Sequence, residues 1–171
     1  MKQLEALTIS IGVLGAVDTW FTAVVLPLPV WVTFIAWASF VIVGGGTQGW
    51  IRSVACNLTG ILIASITLFF ISLLPESALI AAILVGLGSA AMVQASKLAP
   101  IPVIPAIVWG FASLVGTTFA TGMPVTTQVF IGHPTLVAAA AMIVGATFGL
   151  LAEMWANAMT GKSAPSAVTA S

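Results

Sequence analysis

Long runs of apolar residues, separated by short clusters of proline, glycine or charge, fill nearly the whole chain. Six of these runs approach the ~20 residues that an α-helix needs to cross the ~30 Å hydrocarbon core of a bilayer. They cover about residues 4–26, 29–45, 50–74, 77–96, 101–121 and 133–157. The connections are short and carry turn residues, as in the glycine-rich segment 44–49. The pattern predicts an all-α, polytopic membrane protein with six transmembrane helices in a single domain over residues 1–160.

Composition points to the same medium. Of the 171 residues, 60% are hydrophobic and 5% are charged, and the mean hydropathy is +1.22. A chain with so few charges cannot cover a water-exposed surface with polar side chains, so we expect the lipid bilayer as its surroundings. The formal net charge of 0 argues against nucleic-acid binding. The single cysteine, Cys56, lies inside a predicted span, which excludes a disulfide framework and a cysteine-based metal site.

The positive charges predict the orientation. Lys2, Arg52, Lys97 and Lys162 fall before the first span and after the second, fourth and sixth. With six spans, all four face one compartment, and the positive-inside rule makes that compartment the cytoplasm. Both termini are then cytoplasmic. The Ser/Ala-rich residues 161–171 are expected to form a disordered cytoplasmic tail.

The two halves of the chain resemble each other. Ile11-Gly-Val-Leu-Gly15 matches Leu84-Val-Gly-Leu-Gly88 at an offset of 73, and Pro27-Leu-Pro-Val30 matches Pro100-Ile-Pro-Val103. Three spans repeated once insert in opposite orientations, as in many transport proteins. We therefore predict a 3+3 inverted-topology repeat, with half-repeats within about 4–96 and 77–157 and a boundary near residue 75.

Small residues recur at helical spacing in three spans. The stripes are Cys56, Gly60 and Ala64; Ala82, Gly86 and Ala90; and Ala141, Gly145 and Gly149. Such stripes let helices approach closely, either within one protomer or between copies. We expect Gly60, Gly86, Gly145 and Gly149 to be packing residues, and a homo-oligomer stays open.

Several of these segments together resemble a known family. Trp31-Val-Thr-Phe34 runs through Gly44-Gly45 to Asn57-Leu-Thr-Gly60, and is followed by Ile104-Pro105, Phe111-Ala-Ser113 and Gly145-Ala-Thr-Phe-Gly149. This series is similar to the bacterial inner-membrane family catalogued as domain of unknown function 1097, over most of the chain. The resemblance implies a small multi-pass protein of the bacterial inner membrane. It brings no established activity and no site residues.

Asp18 is the sharpest functional candidate. It lies ~20 Å into the first span, where a carboxylate costs a few kcal/mol and normally faces the bundle interior. It would serve as a proton acceptor or as a ligand for a polar solute, with hydroxyls such as Thr33, Ser65 or Thr117 at comparable depth. The alternative is a carboxyl near the outer interface that reaches water or capping hydroxyls.

Other polar and aromatic residues are candidates for a solute pathway. Asn57 lies near the cytoplasmic end of span three and either lines a pore mouth or bonds between helices, with Gln94 and Ser96 as expected neighbours. Trp37 and Trp109 lie near the middle of their spans, where an indole N–H needs an acceptor. Ser39, Ser113 and Thr117 would supply hydroxyl-bearing walls. Glu153 is interpreted as a snorkelling carboxylate near the inner interface, and His133 as a loop or capping residue.

Transport is the leading interpretation. The sequence contains no metal-ligand cluster, no nucleophile-base-acid set and no cofactor motif, so we expect neither an enzyme nor a bound cofactor or metal. Few charges and several small polar side chains favour a channel or facilitator for a small neutral or weakly charged solute. Two alternatives stay open: a structural or regulatory membrane subunit without transport, and a proton-coupled secondary transporter that uses Asp18.

Overall fold

The computed structural model describes residues 1–161, all six helices included. The predicted disordered tail lies, except for Gly161, outside the described residues. The helices are α1 Gln3–Val24, α2 Val30–Ile42, α3 Gly46–Leu73, α4 Ala78–Ala95, α5 Ile104–Thr121 and α6 Pro134–Thr160. No strand occurs among residues 1–161, so the all-α prediction is confirmed for this part of the chain.

Three consecutive glycines form the turn between α2 and α3. Gly44, Gly45 and Gly46 have φ values of 106°, 68° and 63°, a region that glycine adopts without the steric cost of a Cβ. The turn ends α2 at Ile42 and starts α3 at once. The predicted spans 29–45 and 50–74 therefore ended the second helix three residues too late and began the third helix four residues too late. The sequence pattern had assigned the glycines to the second span and to a longer loop.

Prolines set the beginnings of α2 and α5. Pro29 is the N-cap residue of α2, and Pro105 lies in the first turn of α5, where its missing N–H has no helical partner to lose. The fifth helix begins at Ile104 and not at residue 101, since Pro102 lies in the extended segment before it. Pro105 thus forms part of a helix entry and does not bend a longer helix.

Five of the helices are long and apolar enough to cross a membrane, which is the pattern of a multi-pass membrane protein. The exception is α2, which has 13 residues and rises only about 20 Å at 1.5 Å per residue. The expectation of six full-length spans therefore holds for five helices by length and composition. Large apolar side chains are exposed along all six helices, as expected where lipid replaces water as the solvent.

The interior lies among α2, α3, α5 and α6. The most extensive contacts join α3 to α5 and α2 to α6, while α1 packs on α6 and α4 packs on α3. The two halves of the chain use the same packing scheme, with α4, α5 and α6 in the places of α1, α2 and α3. The contact of α2 with α6 then corresponds to that of α5 with α3, and the contact of α1 with α6 to that of α4 with α3. The outermost helix is α4, which buries only Gly88 and Met92.

Burial repeats along the chain with the same correspondence. Each of the eight buried positions of α3 has a buried counterpart in α6 at an offset of 85, the separation of Gly60 and Gly145. Each of the six buried positions of α2 has a buried counterpart in α5 at an offset of 74, the separation of Ser39 and Ser113. The same faces of these helices are therefore turned to the core.

Glycine allows backbone contact at both of the major helix pairs. A Cβ at Gly60 would overlap the carbonyl oxygen of Ile107 on α5, and a Cβ at Gly145 would overlap that of Thr33 on α2. At Gly149, the nearest ring carbons of Trp37 and Phe40 lie 2.8 to 3.2 Å from where a Cβ would be. These positions are close helix contacts, as small-residue packing requires.

The fourth predicted packing glycine behaves differently. Gly86 is exposed, and no atom lies within 4 Å of the position that its Cβ would take. The glycine that faces the bundle from α4 is Gly88, whose Cβ would come within 2.7 Å of Thr67 Oγ1. Among residues 1–161, Gly86 therefore makes no close helix contact, because the stripe that contains it lies on the outer face of α4. Packing of Gly86 against a second copy stays a prediction.

Substitution at the two contact glycines tests this packing. Gly60→Ala and Gly145→Ala should each destabilise the protein by about 1–3 kcal/mol or more, because the added carbon meets backbone that cannot rotate away. Thermal unfolding of the purified protein in detergent measures the effect. Gly86→Ala is the matched control and should unfold at or above the wild-type temperature, since exposed helical glycine gains from alanine. Equal midpoints in all three variants would contradict the close-contact account.

Candidate functional site

Asp18 lies on the buried face of α1 and is 0% exposed. Thr33 on α2 donates a hydrogen bond from Oγ1 to Asp18 Oδ2 at 2.6 Å. The second carboxyl oxygen, Oδ1, is buried and has no hydrogen-bond partner among the described residues. Most buried polar atoms in proteins are paired. Asp18 Oδ1 is therefore an exception, a buried acceptor that is able to accept a hydrogen bond from a ligand.

The Thr33 hydroxyl contacts a second acceptor. Its Oγ1 also lies 2.7 Å from the carbonyl oxygen of Val30, although a hydroxyl has only one hydrogen to donate. When Asp18 is ionised, Thr33 donates to the carboxylate. When Asp18 is protonated, its O–H donates to Thr33 Oγ1, which then donates to Val30. The same arrangement accommodates both protonation states of the carboxyl without moving a heavy atom.

An aromatic pair follows Asp18 along the line where α1, α2 and α6 meet, here called the α1/α2/α6 seam. The rings of Phe34 and Trp37 are 6.0 Å apart and inclined by 32°. The Phe34 ring lies against Gly15, 3.5 Å from where its Cβ would be, and Trp37 lies against Gly149. Trp37 is therefore buried in the seam, whereas Phe34 lies at its edge and is 44% exposed.

Beyond the aromatic pair, the seam opens into a cavity of about 310 Å³. Residues of α1, α2, α6 and the glycine turn line it: Gln3, Leu7, Ile11, Trp37, Phe40, Val41, Gly44, Gly45, Gly149, Ala152 and Glu153. Of the lining residues within the described chain, only Glu153 has an ionisable side chain, and it follows Gly149 by one helical turn.

Glu153 is held in place by the first turn of α3. Its Oε2 accepts a hydrogen bond from Gly46 N–H at 2.6 Å. A Cβ at Gly45 would lie within 2.8 to 2.9 Å of the carboxylate oxygens, so glycine leaves the room that the carboxylate occupies. A carboxylate also interacts favourably with the N-terminus of a helix. The interpretation of Glu153 as a snorkelling side chain missed this partner, which is 107 residues away in sequence.

Asn57, Ser39 and Ser53 form a separate, fully buried cluster between α2 and α3. Ser39 Oγ donates to Asn57 Oδ1 at 3.0 Å, Ser53 Oγ donates to Ser39 Oγ at 2.9 Å, and Asn57 Nδ2 donates to Ser53 Oγ at 3.3 Å. The expected neighbours of Asn57 were wrong: Ser96 bonds within its own helix, to Val93. Of the two roles considered for Asn57, the structure contains interhelical hydrogen bonding.

The other predicted pathway residues are dispersed. Thr117 is buried and donates to the Ser113 carbonyl, whereas Ser113 Oγ is buried without a partner among the described residues. Trp109 is half-buried. Ser65 lines a groove of about 790 Å³ beneath the connection between α5 and α6. Of the nine predicted pathway residues, the structure joins Asp18, Thr33 and Trp37 along one seam.

His133 caps the last helix. Its Nδ1 accepts from Thr135 N–H at 3.2 Å, and its Nε2 lies 3.2 Å from the carbonyl oxygen of Val125. These contacts fit a neutral ring with the hydrogen on Nε2. The capping role expected for this residue is therefore present. Within residues 1–161, no group of three or more His, Cys, Asp or Glu side chains is arranged to hold a metal ion.

Polar groups distinguish the α1/α2/α6 seam from its counterpart formed by α4, α5 and α3. At the offsets given above, Thr33 corresponds to Ile107 and Glu153 corresponds to Leu68. At the offset of 73 that relates Gly15 to Gly88, Asp18 corresponds to Ala91. The counterpart seam thus carries apolar residues at all three positions.

Comparison with known proteins gives one match. The family model described as Protein of unknown function (DUF1097) matches residues 8–157, a range that includes parts or all of the six helices. No curated protein and no solved structure matches the chain.

The corresponding serines Ser39 and Ser113 provide a matched test of the buried polar cluster. Ser39→Ala removes a donor to Asn57 and should lower the free energy of unfolding by about 1 kcal/mol. Ser113→Ala removes a hydroxyl without a partner and should leave stability unchanged or raise it. Unfolding in detergent by titration with a denaturing surfactant measures both. Equal losses in the two variants would contradict the hydrogen-bond assignments.

Proposed function

The chain belongs to the family described as Protein of unknown function (DUF1097), and we propose that it is a channel or facilitator for a small neutral or weakly charged solute in the bacterial inner membrane. The observation that carries the proposal is the buried Asp18 carboxyl, whose Oδ1 has no hydrogen-bond partner among residues 1–161. An intramembrane carboxyl of this kind normally marks a pathway for a solute or proton. An acceptor oxygen in that position suits a solute with N–H or O–H donors.

The proposed path follows the α1/α2/α6 seam. A solute enters the cavity lined by Glu153, passes the Phe34 and Trp37 rings, and reaches the carboxyl of Asp18 beside Thr33. The order of these residues along all three helices supports this sequence of steps. Trp37 is buried in the seam in this structure, so passage requires that its ring moves. Hydrophobic constrictions serve as gates in channels.

The proposed topology has six spans, with both termini in the cytoplasm and one domain over residues 1–160. The 13 residues of α2 rise about 20 Å, and the extended residues 27–29 add about 10 Å, which together match the ~30 Å hydrocarbon core. Lys2, Arg52 and Lys97 are exposed near helix ends on the proposed cytoplasmic side. Their placement supports the orientation.

The proposed inverted repeat relates α1–α3 to α4–α6 across a boundary near residue 75. Its support is the recurrence of the packed helix pairs and of the buried positions described above. Three helices in each half give the halves opposite orientations in the membrane.

A proton-coupled transporter is the second candidate. The Thr33 hydroxyl, with Asp18 Oδ2 and the Val30 carbonyl both within 2.7 Å, favours it, because the pair accommodates the protonated and ionised carboxyl equally well. A structural or regulatory subunit is the third. The exposed stripe Ala82, Gly86 and Ala90 on α4 favours that role, since small residues on a lipid-facing surface allow a second copy to pack closely.

Flux into proteoliposomes tests the role of Asp18. With a panel of small amides, amines and acids, Asp18→Asn should reduce flux of the transported solute by roughly tenfold or more, because the neutral amide replaces one acceptor oxygen by a donor. Ala91→Asn, at the corresponding position of α4, is the control and should retain wild-type flux.

Two other outcomes discriminate the alternatives. Retained flux that loses its pH dependence in Asp18→Asn would favour the proton-coupled transporter. Wild-type flux and folding in both Asp18→Asn and Asp18→Ala would exclude Asp18 from the pathway.

Reporter fusions test the topology. A reporter active only in the cytoplasm should be active after Gly161 and inactive after Pro75, because an odd number of spans separates the two sites in the six-span arrangement. A reporter active only outside the cytoplasm, at the same two sites, should give the reciprocal pattern. Activity of one reporter at both sites would overturn the span count and the inverted orientation of the halves.

A further inference from the structure

The cavity of the α1/α2/α6 seam has one carboxylate and two aromatic side chains in its lining. Its volume of about 310 Å³ equals that of roughly ten water molecules at ~30 Å³ each, which suits a ligand of a few carbon atoms. Trp37 and Phe40 line it from α2, and Glu153 lines it from α6. Among residues 1–161, no lysine or arginine lines the cavity.

Carboxylate and aromatic groups select for positive charge. Aromatic rings attract ammonium groups through their quadrupole, and this attraction grows when the cation loses water. A carboxylate adds direct charge pairing, which is stronger in a partly apolar pocket than in water. An anionic ligand would be repelled by the Glu153 carboxylate, and the part of the lining that residues 1–161 supply has no lysine or arginine to offset that repulsion.

The Glu153 carboxylate is both fixed and available. Gly46 N–H holds Oε2 at 2.6 Å, and this is the hydrogen bond recorded for the carboxylate within residues 1–161. That bond sets the orientation of the group and leaves Oε1 for a ligand. It also occupies the N–H that would otherwise attract a free anion to the start of α3.

We propose that this cavity binds a small organic cation, either a primary or a quaternary ammonium ion. The cation would lie between the Glu153 carboxylate and the Trp37 and Phe40 side chains. The inference deepens the proposed function by naming the class of weakly charged solute, and it rests on that function only for the transport step. Asp18, further along the same seam, then meets a positively charged solute, and a primary ammonium ion also brings N–H donors to its carboxyl oxygens.

Binding to the purified full-length protein tests the inference directly. Isothermal titration at constant ionic strength would compare propylammonium and tetramethylammonium with propanol and propionate. The two cations should bind and the neutral and anionic compounds should not. Glu153→Gln should weaken cation binding by roughly tenfold or more, while its amide oxygen still accepts from Gly46 N–H and so preserves the turn. Glu76→Gln, which changes an exposed carboxyl in another connection, should bind as wild type.

A second variant guards against misfolding of the first. Ile11→Phe enlarges a partly exposed lining residue of α1 and should abolish cation binding by filling the cavity, while Leu79→Phe on the exposed surface of α4 should not. Equal binding of propylammonium and propanol, or unchanged binding in both Glu153→Gln and Ile11→Phe, would overturn the inference. Flux without cation binding would refute the cation site and leave the transport proposal intact. Cation binding without flux of any solute would support the cation site and refute the transport proposal.

Discussion

The close approach of α2 and α6 at Gly145 is the contact on which the candidate site depends. With no Cβ at this position, α6 meets the backbone of Thr33 directly. The same contact fixes the first turn of α2, and with it the Thr33 hydroxyl that bonds to Asp18. A larger residue at 145 would displace Thr33 and leave a buried carboxyl with no donor at all, which is costly in an apolar interior. One glycine therefore links the packing of two helices to the chemistry of a third.

The two major helix pairs share this device but not its chemical consequence. At Gly60, α3 meets the backbone of Ile107, whose side chain is apolar. In the proposed repeat, packing is thus common to both halves, while Asp18, Thr33 and Glu153 of the α1/α2/α6 seam have apolar counterparts in the other half. The Asp18 Oδ1 atom, which has no partner among residues 1–161, lowers the stability of the fold. The seam formed by α3, α4 and α5 avoids that cost, because Ala91 stands at the position that corresponds to Asp18. Such local sacrifices of stability are typical of functional sites.

The sequence predicted the apolar helices and the contact glycines because both depend on local pattern. Small residues at every fourth position identified Gly60 and Gly145, but the same rule selected Gly86, since periodicity alone does not say which face of a helix meets the bundle. The length of α2 was overestimated because apolar residues continue into the glycine turn. Asp18 was recognisable as an ionisable residue in a span, and Thr33 was one of three hydroxyls expected at its depth.

The partners of Glu153 were not predictable in this way. Its bond to Gly46 depends on how α6 lies against the turn between α2 and α3, which only the folded structure defines. A usable signal was nonetheless present: Glu153 follows Gly145 and Gly149 at intervals of four residues, so it lies on the helix face that the glycines turn inward. Ser53 and Asn57 lie one turn apart on α3, a spacing that pairs them from sequence alone. Ser39 joins them only through the packing of α2 on α3, which no spacing rule within either helix predicts.

The claim that the polar path runs along one seam is tested most directly by the reactivity of introduced thiols. In a Cys56→Ser background, Thr33→Cys and Ile107→Cys place single thiols at corresponding positions of α2 and α5. The labelling rates of the two proteins with a small, charged methanethiosulfonate reagent would be measured in membranes. We expect the thiol at position 33 to react, and we expect the transported solute to protect it. The thiol at position 107 should not react. Equal reactivity at the two positions, or reaction at 107 alone, would contradict this claim.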